Sequence, residues 1–326
     1  MKCTNKIKTG LILLCIFAVV FVGCGKNDYT FEYSKNHHTS SFNIISSTTP
    51  QTVSSFASDI CVVTTDIPAD DFSVEGESAA GLFDVKNNQV IYAKDANEML
   101  YPASLTKVMT ALVAIKNGNP EDILVATDNV KITERGATLI GLKSGDTMTL
   151  NQALHILLIN SSNDVANLIA ENIGGDIETF IGMMNEEAVR LGATNTNFTN
   201  PHGLSDSNHY TTVYDMYLIF NEAVKYDLFN EIIHTQSYET VYYDSRGREK
   251  EVSITTTNMF LRGNYTAPDN MTVVGGKTGT TDMAGHCLLL LTKDTAGNPY
   301  IGVILRASSR DLINKEMVQM LSEINK

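Results

Sequence analysis

The sequence predicts a mixed α+β fold, in which the two ends of the folded chain form one antiparallel sheet and a mainly helical lobe lies to one side. Short apolar runs bounded by turn residues occur before residue 95 and again after residue 236. Between them, apolar side chains recur at helical spacing. The last three runs are joined by turns too short for a crossover, so their strands are antiparallel. This distribution is typical of a sheet assembled from both chain ends.

The N-terminal part of the predicted sheet is a hairpin. Two short apolar runs flank Asn87 and Asn88, and we expect order to begin near Ala79. A helix is then predicted just after Pro102, because proline disfavours helical geometry in the residue before it. Apolar side chains continue at helical spacing as far as Gly118, which ends the helix.

The remaining elements follow from the same two periodicities. We predict helices over 150–160, 165–173, 177–191 and 213–226, a hairpin over 238–256, strands over 273–280, 285–292 and 300–305, and a last amphipathic helix over 312–321. Short strands and turns are expected between residues 119 and 149, and a loop over residues 195–210.

The N-terminus predicts export. Three lysines precede an apolar run over residues 11–22, which is short for a membrane span. The Gly23-Cys24 pair that follows resembles a bacterial lipoprotein lipobox, although Phe21 stands where leucine is usual. The resemblance implies a signal peptide over 1–23, a lipid on Cys24 and location on the outer face of the cytoplasmic membrane. An ordinary signal peptide or a short membrane anchor remains open, and each exports the chain. Residues 24–77 are predicted to be a Ser/Thr-rich flexible tether before a domain over 78–326.

Composition excludes several other classes of protein. Acidic residues exceed basic residues by 13, and no basic cluster lies outside the first ten residues, which argues against nucleic-acid binding. Cys61 and Cys287 are expected to be unpaired thiols. His37 and His38 have no third ligand nearby, so we expect neither a metal nor a cofactor.

Three short motifs carry the predicted chemistry. Ser104 and Lys107 stand one helical turn apart at the start of the first helix, so the amine can reach the hydroxyl. Lys107 can act as base for a nucleophilic Ser104 only when it is neutral, which requires burial and a nearby like charge. Lys277 can supply that charge, and it also suits an anionic substrate.

The other motif residues have supporting roles if the motifs share one cleft. Ser161 lies at a helix junction, where its hydroxyl can relay a proton to a leaving amine, and Asn163 can bond both Lys107 and a substrate amide. Gly279 allows close approach of a substrate backbone to the strand edge. The backbone N–H groups of Ser104 and Thr280 are candidates for an oxyanion hole.

The motifs Ser104-x-x-Lys107, Ser161-Ser162-Asn163 and Lys277-Thr278-Gly279 resemble those of penicillin-binding proteins and serine β-lactamases. Four longer segments closely resemble the low-molecular-mass serine-type D-Ala-D-Ala carboxypeptidases. They are residues 101–107 (Tyr-Pro-Ala-Ser-Leu-Thr-Lys), 200–204 (Asn-Pro-His-Gly-Leu), 209–212 (His-Tyr-Thr-Thr) and 277–282 (Lys-Thr-Gly-Thr-Thr-Asp).

The resemblance covers residues 78–321 and implies a β-lactamase/transpeptidase-like fold. It also implies removal of the terminal D-alanine from peptidoglycan stem peptides through an acyl-enzyme on Ser104, with β-lactam antibiotics as slow suicide substrates. In that family the strand lysine and threonine hold the substrate carboxylate, which points to Lys277 and Thr278.

Three positions depart from the family or invite another interpretation. Ser162 stands where glycine is usual, and Lys315 stands where the family commonly has arginine before glutamate, which puts the usual carboxylate contact there in doubt. His202 is expected to order the 195–210 loop and not to act in catalysis.

Three alternative functions use the same motifs. A β-lactamase needs a group that activates the deacylating water, and no Glu-x-x-Leu-Asn segment lies between the second and third motifs. A DD-endopeptidase that cuts cross-links has the same site, so the sequence leaves it open. A non-catalytic penicillin-binding module would tolerate loss of a motif residue, whereas all of them are present here.

Overall fold

The computed structural model of the protein describes residues 59–324. The predicted signal peptide over 1–23, the predicted lipid site at Cys24, the tether up to residue 58 and the His37-His38 pair lie outside these residues and remain predictions. Within residues 59–324, no helix is both long enough and apolar enough to cross a bilayer.

The main sheet has five antiparallel strands in the order β2-β1-β9-β8-β7. Its strands are β1 (Ala79–Asp84), β2 (Gln89–Lys94), β7 (Met271–Thr281), β8 (Gly285–Asp294) and β9 (Pro299–Ala307). The first strand pairs with the last, with Ala79 opposite Leu305. The prediction of one sheet from both chain ends is therefore confirmed.

Seven helices lie within the described residues. They are α1 (Thr106–Asn117), α2 (Leu150–Ile159), α3 (Asn163–Gly174), α4 (Ile177–Leu191), α5 (Val213–Ala223), α6 (Asp227–His234) and α7 (Arg310–Leu321). Helix α5 packs on one face of the main sheet and α7 on the other. Strand β8 is buried from Cys287 to Thr292, and alternate residues of the strand enter two different hydrophobic clusters. This explains why its apolar run is continuous.

Helix α1 is the central helix of the fold. It packs against α2, α3, α4 and α5, and all residues from Thr106 to Ala114 are buried. A helix that is buried on every side lies inside a core. Lys107 therefore enters the interior because it lies on this helix, and its burial is a consequence of the fold.

Two elements differ from the sequence-based expectation. The helix predicted over 213–226 ends at Ala223, and a separate helix, α6, follows it. The hairpin β5 (Ser237–Tyr243) and β6 (Glu249–Thr255) joins β3 (Ile123–Val125) and β4 (Thr147–Thr149) in a second, four-stranded sheet. Periodicity identifies a strand but not the sheet to which it belongs, so this pairing was missed.

The folded part begins earlier than predicted. Cys61, Phe72 and Val74 are buried, and Ile67 pairs with Ala93 at the edge of the main sheet. Residues 59–77 are thus packed on the domain, and the tether boundary predicted at residue 78 is too late. The segment was misassigned because it is polar and has no regular periodicity, although a few apolar side chains fix it. Cys61 and Cys287 are both free thiols, as expected.

Candidate active site

The three sequence motifs meet at one cleft of about 510 Å³. Ser104, Ser161, Thr278, Gly279 and Thr280 line it. The side chains of the remaining motif residues lie beneath this surface, with Lys107 at 0%, Lys277 at 1% and Asn163 at 4% exposure. The cleft therefore presents hydroxyl groups and a strand edge to solvent, with two amines buried behind them.

Ser104 is placed by an unusual turn. Residues Ala103–Leu105 form a short 3₁₀ turn that leads directly into α1, and Ala103 has a φ of +47°. The left-handed region is uncommon for a residue other than glycine. Gly203 packs directly against this turn, and a Cβ added to Gly203 would overlap the carbonyl oxygen of Ala103.

The Lys107 amine is held by three neighbours. Its Nζ lies 2.6 Å from Asn163 Oδ1, 2.6 Å from the backbone oxygen of His202 and 3.0 Å from Ser104 Oγ. A neutral amine has two N–H donors and one lone pair. The amide and carbonyl oxygens only accept, so they take the two donors and leave the lone pair for the Ser104 hydroxyl.

The electrostatic surroundings favour this neutral form of Lys107. Burial lowers its pKa well below the ordinary value for lysine, and the charge of Lys277 lowers it further. The carboxylate of Asp164 acts in the opposite direction with a smaller effect. The arrangement can therefore accept a proton from Ser104, which is what a general base requires.

Lys277 lies on β7, on the sheet side of the cleft. Its Nζ donates to Ser161 Oγ at 2.9 Å and to the backbone oxygen of Thr278 at 2.8 Å. Burial lowers the pKa of Lys277 to about 7. This is close to neutrality, so a bound anion would favour its charged form.

The middle motif places Ser161, not Ser162, in the cleft. Ser161 has a φ of +67° at the junction of α2 and α3, which turns its hydroxyl toward Lys277. Ser162 is fully buried and accepts a hydrogen bond from Asn160 Nδ2 at 2.8 Å. The serine that replaces the usual glycine therefore lies behind the cleft.

Strand β7 forms the opposite wall. It is an edge strand, and Thr278 Oγ1 lies 2.6 Å from Thr257 Oγ1 beside the cleft. A Cβ added to Gly279 would lie 2.9 Å from the backbone nitrogen of Ser104. Only glycine allows the strand this close to Ser104, so Gly279 sets the width of the cleft at this point.

Sequence reasoning missed a cation in the cleft. Arg310, the first residue of α7, lines the cleft. It lies near His286, whose Nδ1 is 3.1 Å from Thr280 Oγ1. Burial lowers the pKa of His286, and the charge of Arg310 lowers it further. Lys315, to which sequence reasoning assigned the position, instead forms an exposed ion pair with Asp311 at 2.7 Å. An Arg-Asp pair directly before the last predicted helix was the available signal.

His202 orders its own loop. Its Nδ1 accepts from the backbone N–H of Leu204 at 3.2 Å, and burial, with smaller effects from nearby charges, lowers its pKa to about 3. These contacts agree with the expected loop-ordering role. Among residues 59–324, no three histidine, cysteine or acidic side chains are arranged to hold a metal ion.

A serine one helical turn from a buried lysine, facing a second Ser–Lys pair at the edge of an antiparallel sheet, defines the class of penicillin-binding, transpeptidase-like proteins. The sequence model of the D-alanyl-D-alanine carboxypeptidase family, peptidase family S11, matches residues 65–309. The chain belongs to this family.

Individual relatives agree with this assignment. The chain is 34% identical to D-alanyl-D-alanine carboxypeptidase DacF of Bacillus subtilis over 252 residues, which cover 76% of this chain and 61% of that protein. It is 31% identical to DacC of Escherichia coli, over 74% of this chain and 59% of that one. The chain thus spans about three fifths of the length of these curated relatives.

The fold matches a solved structure. The crystal structure of the Streptomyces K15 DD-transpeptidase superposes with a TM-score of 0.70 at 24% identity, over 77% of this chain and 98% of that chain. The transpeptidase-like fold is therefore confirmed.

Proposed function

We propose that the protein is an exported serine D-alanyl-D-alanine carboxypeptidase, which removes the terminal D-alanine from peptidoglycan stem peptides through an acyl-enzyme on Ser104. The observation that carries this proposal is the environment of Lys107 Nζ. Its Nζ lies 2.6 Å from both Asn163 Oδ1 and the His202 carbonyl oxygen, and 3.0 Å from Ser104 Oγ, so a neutral amine donates to the first two and keeps its lone pair for Ser104. The relatives named carboxypeptidases support the choice of substrate.

Substrate recognition begins at the sheet side of the cleft. The terminal carboxylate of the peptide binds Thr278 and the ammonium of Lys277, with Arg310 as a further cation on the same side. The peptide backbone lies along the free edge of β7, where main-chain hydrogen bonds fix its register. Binding of an anion raises the pKa of Lys277, which keeps this group charged in the complex.

Acylation then uses the helix side of the cleft. Ser104 Oγ attacks the carbonyl carbon of the penultimate D-alanine while Lys107 Nζ takes the hydroxyl proton. The N–H groups of Ser104 and Thr280 donate to the negative oxygen that forms, in a region that Gly279 keeps narrow. The C–N bond breaks, and the proton reaches the departing nitrogen with the Ser161 hydroxyl as relay.

Deacylation reverses the same steps with water. D-Alanine leaves, a water molecule enters, and Lys107 takes a proton from it as it adds to the ester. The ester C–O bond breaks, which releases the shortened peptide and returns the proton to Ser104. A β-lactam acylates Ser104 in the same way, but its nitrogen stays attached to the acyl group and does not leave the cleft. The adduct is therefore long-lived, which supports penicillin binding.

The chain reaches its substrate through export and a lipid on Cys24. The lysines and apolar run before Gly23-Cys24 support this part of the proposal. Membrane fractionation of a Cys24→Ala variant tests it. We expect the variant to leave the membrane fraction. Unchanged fractionation, with no lipid mass on the N-terminal peptide, would indicate an uncleaved apolar anchor instead.

The central experiment is mass spectrometry of a stem pentapeptide and of a cross-linked dimer after incubation with the enzyme. We expect the pentapeptide to lose one D-alanine and the dimer to stay intact, and Ser104→Ala to abolish both this reaction and labelling by fluorescent penicillin. Cleavage of the dimer alone would assign an endopeptidase. Penicillin labelling with both substrates intact would assign a non-catalytic module.

A further inference from the structure

The turn before the nucleophile has a support that the proposed mechanism does not use. Ala103 lies in the left-handed region, next to Ser104. A residue other than glycine keeps such a conformation only when its surroundings determine it. The contacts around the Ala103 carbonyl identify what determines it here.

A chain of three hydrogen bonds ends on that carbonyl. Thr106 Oγ1 donates to Ala103 O at 2.8 Å and lies 2.7 Å from His209 Nε2. On the other side of the imidazole, Nδ1 lies 3.0 Å from the backbone nitrogen of Thr199. Thr106 and His209 are buried, at 0% and 2% exposure, so no solvent competes for these groups.

The direction of every bond in this chain is fixed. The backbone N–H of Thr199 only donates, so His209 Nδ1 accepts and the ring proton is on Nε2. Nε2–H therefore donates to Thr106 Oγ1, and the threonine hydroxyl proton is free to donate to Ala103 O. Burial lowers the pKa of His209 to about 4, consistent with a neutral ring that has one donor and one acceptor.

We propose that His209 and Thr106 are positioning residues for the nucleophile. They hold the Ala103 carbonyl from one side while Gly203 packs directly against it, and together they keep the left-handed turn. That turn sets the position of Ser104 Oγ relative to Lys107 Nζ, and of the Ser104 N–H relative to β7. Neither His209 nor Thr106 has a side-chain hydrogen bond to a proposed catalytic group among residues 59–324. They act on Ser104 through the backbone of Ala103.

The inference rests on the proposed acylation of Ser104, and two substitutions test it. Thr106→Val keeps the shape and removes the hydroxyl, and His209→Leu removes both ring nitrogens. We expect each to slow acylation by saturating fluorescent penicillin at least tenfold, with the non-covalent dissociation constant changed less than threefold. Because both residues belong to the same series of hydrogen bonds, the double variant should be no slower than the slower single variant.

Three further variants separate positioning from a general loss of packing. Thr106→Ser and His209→Gln preserve a donor and an acceptor and should restore most of the acylation rate. Thr110→Val is the matched control, because Thr110 Oγ1 is equally buried on α1 and donates to Pro201 O, in the 195–210 loop, at 2.6 Å. Within residues 59–324 its hydroxyl has no hydrogen bond to Ala103. An equal loss in Thr110→Val, or no rescue by the conservative variants, would overturn the proposal.

A structural measurement decides the inference independently of the reaction. In a crystal structure of Thr106→Val we expect Ala103 to leave the left-handed region and the distance from Ser104 Oγ to Lys107 Nζ to lengthen from 3.0 Å. If the turn is unchanged, the positioning role is wrong even though the enzyme acylates. If penicillin never acylates the wild-type protein, the proposed function fails. The crystal structure of Thr106→Val still decides whether the hydrogen bonds hold the turn.

Discussion

The two walls of the cleft each bury a lysine, but they surround it differently. On the helix wall, Lys107 Nζ lies within hydrogen-bond distance of Asn163 Oδ1, the His202 carbonyl oxygen and Ser104 Oγ. A neutral amine at this point donates to the first two and keeps its lone pair for Ser104. On the sheet wall, Lys277 bonds Ser161 and lies next to Thr278, which opens onto the cleft. Both pKa values are lowered by burial, and that of Lys107 is lowered further by the charge of Lys277.

The difference shows how one cleft can hold a neutral and a charged amine. Two ammonium groups that share a buried site repel each other, so only one of them is readily protonated. In the proposed mechanism Lys277 keeps the proton, because the carboxylate of a substrate bound at the neighbouring Thr278 favours its charged form. The pKa of Lys107 is lowered by burial and by the charge of Lys277, so in the proposed mechanism this amine loses the proton and acts as the base. Their roles are therefore set by their surroundings, not by residue type.

Exchange of each lysine for arginine is expected to give the largest difference in activity between the two walls. Lys107→Arg should lower the acylation rate at saturating substrate by about 10²–10⁴, because a guanidinium is not a base near neutral pH. Lys277→Arg keeps the charge and should mainly raise KM. Stopped-flow acylation with fluorescent penicillin measures both effects, with Lys107→Met as a control that fits the buried space. An inactive Lys277→Arg beside an active Lys107→Arg would reverse the assignment.

Gly279 tests how closely the walls approach each other. A methyl group at this position meets the backbone nitrogen of Ser104, so Gly279→Ala should displace the oxyanion donors and slow acylation by roughly 10²-fold. Gly182→Ala is the control, because its Cβ would meet nothing within 4 Å on helix α4. It should leave acylation unchanged and stabilise the fold by about 0.5–1 kcal/mol. Equal rates for the two variants would mean that the close approach of β7 is unimportant.

The pH dependence is the smallest of these effects. The free enzyme binds the anionic substrate best with Lys277 charged, so kcat/KM should fall by about tenfold per pH unit above the Lys277 pKa of about 7. The fall in kcat should come at higher pH, since a bound carboxylate raises that pKa. Lys277→Arg should remove the alkaline fall in kcat/KM. If kcat/KM still falls at alkaline pH in this variant, a group other than Lys277 causes the fall.

Local spacing predicted the strands of the main sheet, the central helix and the three motifs, and the order of the elements along the chain predicted that the strands from both chain ends share one sheet. Ser104 and Lys107 are close in sequence, so helix geometry alone brings them together. The second sheet and the packing of residues 59–77 depend on contacts between distant segments, which periodicity does not encode. Cys61 illustrates this, since it is buried against Tyr217, which lies far along the chain.

Site residues were missed for the same reason. Arg310 enters the cleft because α7 begins beside the end of β9. The exposed Lys315 was assigned its place because it precedes a glutamate, as the arginine of the family commonly does. His209 was noticed as part of a motif, but its hydrogen bond to Thr106 spans 103 residues. Only the folded structure shows that it supports the turn before Ser104.

The protonation state of Lys107 is the most direct test of this account. Nuclear magnetic resonance of lysine labelled with ¹³C at Cε and ¹⁵N at Nζ reports each amine, with Lys107→Met and Lys277→Met spectra to assign the two signals. In the free enzyme at pH 7 we expect Lys107 to give the signal of a neutral amine and Lys277 to titrate near pH 7. A Lys107 signal that stays that of an ammonium up to pH 9 would contradict the proposal that this residue is the base for Ser104.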